Sequence, residues 1–313
     1  MKENLMISLN AILPLLLCMA FGYLAARFHW GDEAFFRKCN SFCFKAFLPM
    51  MMFVNIVDAD IASVFQPKLI LFAVVSVCVF TLAEFFVVRR IASDDSRRAV
   101  LSQAIFRSNY IIFGVSVAAN LYGEGQIAEA ALMAAVAVPL VNVLSVVILE
   151  YYSPNKTSPL DILKGVLKNP IILGAVAAIL VKLLPFTLPT AVSKAIGDLA
   201  KIATPLSLVM LGATFRFDAV GKNLKYIVVG VVGKLIVYPL IMMPIAILLG
   251  FREVALLSLM ILWAGPTAVS SYTMAENAGF DGQLAGQLVV FTSLFSIVTM
   301  FVWIFLLKTM QML

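Results

Sequence analysis

Arg107-Ser108-Asn109-Tyr110 is a polar run inside an apolar segment that extends from about Ala99 to Leu121. Hydrocarbon offers no water to satisfy such groups, so the run needs a protein-lined or wet cavity. A second apolar segment, Val254 to Ala275, is interrupted at Ala264-Gly265-Pro266-Thr267. Proline removes a backbone donor and glycine loosens the turn, so the spacing predicts a broken helix there. At such a break the second half-helix presents unpaired N–H groups of partial positive charge, a geometry suited to a carboxylate or another anion. The candidate substrate-binding residues are therefore Arg107, Ser108, Asn109, Tyr110, Gly265, Pro266, Thr267, Ser270 and Ser271. Tyr110 and Tyr272 are placed to flank an apolar substrate body. Lys234, in Gly233-Lys234-Leu235-Ile236, joins the candidates because snorkelling is hard from so central a position. Arg107 has a second reading, a pair with Glu84. Glu84 and Glu276 are the candidates for proton or cation coupling, with a surface ion pair as their simpler role. Asn55 and Asn142 read as interhelical hydrogen-bonding amides.

The elements that must position these residues are membrane helices. The 313 residues are 62% hydrophobic and 13% charged, with a mean hydropathy of +1.02, which excludes a soluble globule. A spanning helix needs roughly 20 apolar residues, and such runs fall at 5–26, 34–57, 69–90, 97–121, 127–152, 170–184, 190–215, 223–249, 253–277 and 281–307. The sixth stops at Pro185 and is short. The expected fold is an all-α polytopic membrane protein. The net charge of +6 does not point to nucleic acid, because the basic residues sit mostly in short connections and act as topology signals. The odd-numbered connections carry more Lys and Arg than the even-numbered ones. That orientation puts both termini outside, with Lys182, Lys194 and Lys201 counted against it in the sixth connection.

Catalytic constellations are missing from the sequence. His29 is the single histidine, and no Ser/His/Asp set, HExxH or phosphate-binding glycine loop occurs. Cys18, Cys39, Cys43 and Cys78 read as buried free thiols without metal-ligand spacing. No enzyme activity, cofactor or metal is expected.

A shift of about half the chain brings Pro14 onto Pro170, Leu48-Pro49 onto Thr204-Pro205, and Asn109 onto Pro266. It also brings Asn120 onto Asn277 and Glu124-Gly125-Gln126 onto Asp281-Gly282-Gln283. A nearly constant offset indicates duplication. Five spans per copy force opposite orientations, the inverted-repeat plan of many secondary transporters, with the broken fourth and ninth helices equivalent and at the binding site. The expected organisation is a first repeat over 1–152, a short cytoplasmic linker over 153–169 and a second repeat over 170–313.

The chain resembles the auxin efflux carrier family, which includes plant PIN-type carriers and bacterial malonate-permease-like proteins. The resemblance runs its whole length. It rests on Leu48-Pro49-Met50-Met51-Met52-Phe53, Ser108-Asn109 with Gly114, and Tyr122-Gly123. It continues in Thr204-Pro205-Leu206-Ser207-Leu208-Val209-Met210-Leu211-Gly212 and in Pro266 followed by Ala275-Glu276. Where the family commonly has a proline after the glycine of the fourth span, this chain has Ser116. The resemblance implies ten helices in two inverted five-helix repeats. It implies a scaffold from spans 1, 2, 6 and 7, and a transport domain from spans 3–5 and 8–10 moving elevator-like around crossed helices 4 and 9. A homodimer in the plasma membrane is implied as well. The functional expectation is a secondary transporter of a small organic anion, auxin-like or dicarboxylate, with the proton and sodium as candidate coupling ions and uniport left open. The alternatives are a sodium-coupled bile-acid-type symporter and a membrane sensor that binds an anion without moving it.

Overall fold

The computed structural model describes residues 2–58, 66–123, 128–154, 158–184 and 188–313. Pro185 and the loop Glu124-Gly125-Gln126 lie outside the described residues, as does the side chain of Ser116. The described chain is all helical, and among these residues β pairing is limited to one isolated bridge. In order the helices are α1 (Lys2–Arg27), α2 (Glu33–Phe42), α3 (Leu48–Val57), α4 (Pro67–Ile91), α5 (Asp95–Phe106), α6 (Tyr110–Tyr122), α7 (Ala128–Tyr152) and α8 (Pro159–Lys168). They continue as α9 (Pro170–Leu183), α10 (Thr190–Thr214), α11 (Val220–Val232), α12 (Tyr238–Leu248), α13 (Glu253–Ala264), α14 (Ser270–Asn277) and α15 (Gly282–Thr309).

Among the described residues, six stretches are long and apolar enough to cross a bilayer: Glu33–Val57, Pro67–Ile91, Glu129–Tyr152, Thr190–Thr214, Val220–Leu248 and Gly282–Thr309. Two of them are continuous only through a π-helical turn. Cys43–Phe47 joins α2 to α3, and Gly233–Val237 joins α11 to α12. Each turn ends two residues before a proline, Pro49 or Pro239. A proline cannot donate to the carbonyl four residues back and its ring pushes that carbonyl aside, so the widened turn absorbs the misfit. Behind Pro239 the freed carbonyl is Leu235 O, and the Trp303 indole N–H donates to it at 2.9 Å.

The expected linker over 153–169 is largely a helix. α8 is capped by Ser158, whose hydroxyl accepts from Asp161 N–H. It is bent by 65° from α9. Leu160, Leu163 and Leu167 are exposed along it while Lys164 and Lys168 supply charge, the character of a helix lying in the membrane interface. Lys194 and Lys201 belong to α10, not to the connection before it.

Glycines let backbones touch. A Cβ at Gly22 of α1 would collide with Val209 O of α10, and one at Gly212 of α10 with Met19 O of α1. Gly174 of α9 meets Pro49 O of α3 in the same way. Small residues at such contacts are the usual means of packing helices where lipid supplies no hydrophobic drive.

Candidate functional site

α5 and α6 are separated by Arg107–Asn109, and α13 and α14 by Gly265–Val269. The four halves run 12, 13, 12 and 8 residues, each too short to cross about 30 Å of hydrocarbon at 1.5 Å per residue. The two breaks meet. Ser108 and Thr267 form the isolated antiparallel bridge, and Asn109 N–H donates to Pro266 O at 2.8 Å. Each break also caps the other's helix. Ser108 Oγ donates to Ile261 O in the last turn of α13 at 3.2 Å, and Thr267 Oγ1 donates to Ala104 O in the last turn of α5 at 2.8 Å. Helix C-termini have carbonyls without intrahelical partners, and these hydroxyls add donors there. Gly265 is required by the closeness of the crossing, since a Cβ there would press on Ser108 Oγ and Ile261 O.

Beside the crossing lies a cavity of about 400 Å³, within the range of about 300–1,000 Å³ usual for small-molecule sites. Arg107, Ser108, Asn109, Tyr110 and Ile111 line it from one break, and Ala268, Val269 and Ser270 from the other. Opposite stand Met51, Val54, Asn55 and Asp58 of α3 and its end, with Gly197, Ala200, Lys201 and Thr204 of α10. Asn142 of α7 completes the polar wall.

Arg107 is 1% exposed. Its Nη2 donates to Asn142 Oδ1 at 2.6 Å and to Ser270 Oγ at 2.7 Å, and its Nη1 lies 2.8 Å from Met274 Sδ. Asn142 is itself oriented by donating to Val138 O at 2.8 Å. Every one of these partners is neutral, and Arg107 Nε has none. A buried cation without an anion is costly, by several kcal/mol even after relaxation. An anion in the adjoining cavity would offset that cost. Asn109, 9% exposed, has a side-chain Nδ2 with no partner, a donor available to the same anion.

A family model described as a membrane transport protein matches residues 7–304. The chain belongs to that family, the auxin efflux carriers. No curated protein matches the chain.

An auxin efflux carrier is a membrane transporter, and the cavity at the crossing is where part of the sequence candidates gather. Five of the sequence candidates line it: Arg107, Ser108, Asn109, Tyr110 and Ser270. Gly265, Pro266 and Thr267 build the crossing itself and do not line the cavity; Ser271 is buried behind it with its hydroxyl unpartnered. Tyr272 is turned away, its hydroxyl 2.7 Å from Thr214 Oγ1. Lys234 is also absent from the cavity wall. It is wholly buried, and its Nζ donates to Phe106 O at 3.4 Å and Leu262 O at 3.5 Å. Arg107 makes no ion pair with Glu84, which is buried in α4 without a hydrogen-bond partner. Glu276 is ion-paired with Arg37 of α2.

Of the four free cysteines only Cys43 is buried, its thiol against Ala203 O and Ser207; Cys78 is exposed and Cys18 and Cys39 are half-buried. A thiol facing lipid is as apolar an environment as a core, so the sequence pattern of a buried thiol also describes these. Asp58 and Lys201 face the cavity although neither was a site candidate. In sequence Lys201 counts as a charge of the sixth connection and Asp58 simply follows the second span, and only the packing of α3 and α10 across the crossing brings them there. Lys201 is 79% exposed and pairs with Asp198 at 3.0 Å.

Proposed function

We propose that this member of the auxin efflux carrier family is a secondary transporter of a small organic anion, an auxin-like monocarboxylate or a dicarboxylate, working by elevator-type alternating access. The observation that carries the reading is the buried Arg107 guanidinium with only neutral partners, beside an unpartnered Asn109 amide, where α6 begins at the cavity. Cation, amide and helix N-terminus converge on one anion.

The reciprocal capping of α5 by Thr267 and of α13 by Ser108 supports an inverted duplication, with repeats over 1–152 and 170–313 around the α8 segment. The glycine contacts of α1 with α10 and of α3 with α9 support a rigid scaffold of α1–α3, α9 and α10. Against it the remaining helices would carry the crossing. In this reading both termini lie outside the plasma membrane, and the exposed Asp58 and Lys201 support a cavity open to that side. Glu84 is the proton-carrying candidate, remote from the cavity, whereas Glu276 is engaged with Arg37. Assembly as a homodimer belongs to the same reading.

The test is accessibility. Ala268, which lines the cavity, is replaced by Cys after removal of Cys18, Cys39, Cys43 and Cys78. A carrier lets an impermeant maleimide reach position 268 from either side of the membrane, with protection by the transported acid. Labelling from one side only, unchanged by any acid that binds, would favour a sensor.

A further inference from the structure

Lys234 is a buried cation that anion binding does not use. It sits in the π-helical turn Gly233–Val237, which re-aims side chains relative to a regular helix. Gly233 lets that turn approach α5 closely, since a Cβ there would crowd Ile105. The ammonium then reaches the free ends of both broken helices: Phe106 O is the last carbonyl of α5, and Leu262 O lies in the last turn of α13. The Tyr238 ring, stacked on Phe80 at 3.7 Å, covers it at 5.2 Å from Nζ. Among the described residues no carboxylate forms an ion pair with it.

Two helix C-termini carry partial negative charge, and an aromatic face attracts a cation. These groups make a cation site. In transporters built on discontinuous helices, unwound carbonyls and half-helix C-terminal ends hold the coupling Na⁺. We propose that the Lys234 ammonium is a tethered cation occupying that place, so that the crossing closes without a free monovalent ion and anion transport is independent of Na⁺. Lys234 is in this sense a positioning residue. It holds the C-terminal ends of α5 and α13 together, off the cavity wall, while α6 and α14 present their N-termini to the anion. The inference rests on the transporter reading for its transport arm alone.

The experiment compares the wild-type protein with Lys234→Ala and Lys234→Met in proteoliposomes and detergent, with Na⁺, ethylammonium or choline as the cation. Wild-type uptake of the acid is the same in Na⁺ and choline. Lys234→Ala is slowed by roughly tenfold or more in choline, the loss of a charge-assisted interaction, and recovers in ethylammonium or Na⁺. Its melting temperature rises with those two cations and not with choline, whereas the wild type does not respond. Lys234→Met keeps the side-chain volume, folds, and is slow in every cation because its chain fills the place. Na⁺-dependent wild-type uptake would overturn the proposal. So would wild-type rates for Lys234→Met, or a Lys234→Ala protein whose stability ignores the cation. If the wild type moves no acid at all, the transporter reading fails, and the melting temperatures still decide whether position 234 is a cation place.

Discussion

Replacing Asn109 by Ala removes one donor and, in the protein without substrate, breaks no hydrogen bond of its side-chain nitrogen. Asn109 Nδ2 has no partner, and the bond that holds the break together, Asn109 N–H to Pro266 O at 2.8 Å, belongs to the backbone and survives. Folding stability should therefore change by no more than about 0.5 kcal/mol, the range of substitutions that disturb no named interaction. Binding is different. A hydrogen bond to a charged group contributes about 1.5–3 kcal/mol, so the dissociation constant of a bound carboxylate rises roughly 10- to 150-fold. Asn109→Asp keeps the shape but sets an anion where the donor was, and it should weaken binding further than Ala does. The assay is calorimetric titration of purified protein with malonate and indole acetate, alongside thermal unfolding followed by tryptophan fluorescence. Unchanged affinity for every acid that binds the wild type would refute the placement of the carboxylate. Loss of the folded state would refute the claim that removing this side chain breaks no stabilising contact.

Other perturbations read other parts of the site. Arg107→Gln removes the buried charge and should abolish measurable anion binding. Arg107→Lys should not restore it, because Asn142 and Ser270 are held by one planar guanidinium that a point charge does not reproduce; titration checks both. Ser108→Ala and Thr267→Val each uncap one half-helix and should lower unfolding stability by about 1 kcal/mol. Their effects should be non-additive because the two residues share one bridge, which a double-mutant cycle in denaturant measures. Gly212→Ala drives a Cβ into Met19 O and should cost about 1–3 kcal/mol, seen as a lower melting temperature with the affinity of the remaining folded protein unchanged.

Much of the crossing was legible in the sequence because its signals are local. A proline after a glycine, and a guanidinium followed by Ser-Asn, are hard to place in a continuous membrane helix, and the half-chain offset paired them before any contact was visible. The all-helical class followed from run length for the same reason. What did not follow were relations between helices. Asp58 and Lys201 were not legible as cavity residues because nothing in their neighbourhoods says that α3 and α10 face the breaks. Lys234 was legible as anomalous but not as remote from the cavity: its direction is set by a π-helical turn before Pro239 and by carbonyls 128 and 28 positions away. The amphipathic α8 was read as a linker because Pro159, Lys164 and Lys168 also describe a loop.

The central claim, a carrier for an organic anion, is tested most directly by flux. Purified protein in proteoliposomes is given labelled malonate or indole acetate, with and without imposed proton or sodium gradients. Saturable uptake of one acid, weakened in Asn109→Ala and independent of the sodium gradient, is the result this account requires. Binding of the same acids without flux under any gradient would contradict it and make the protein a sensor.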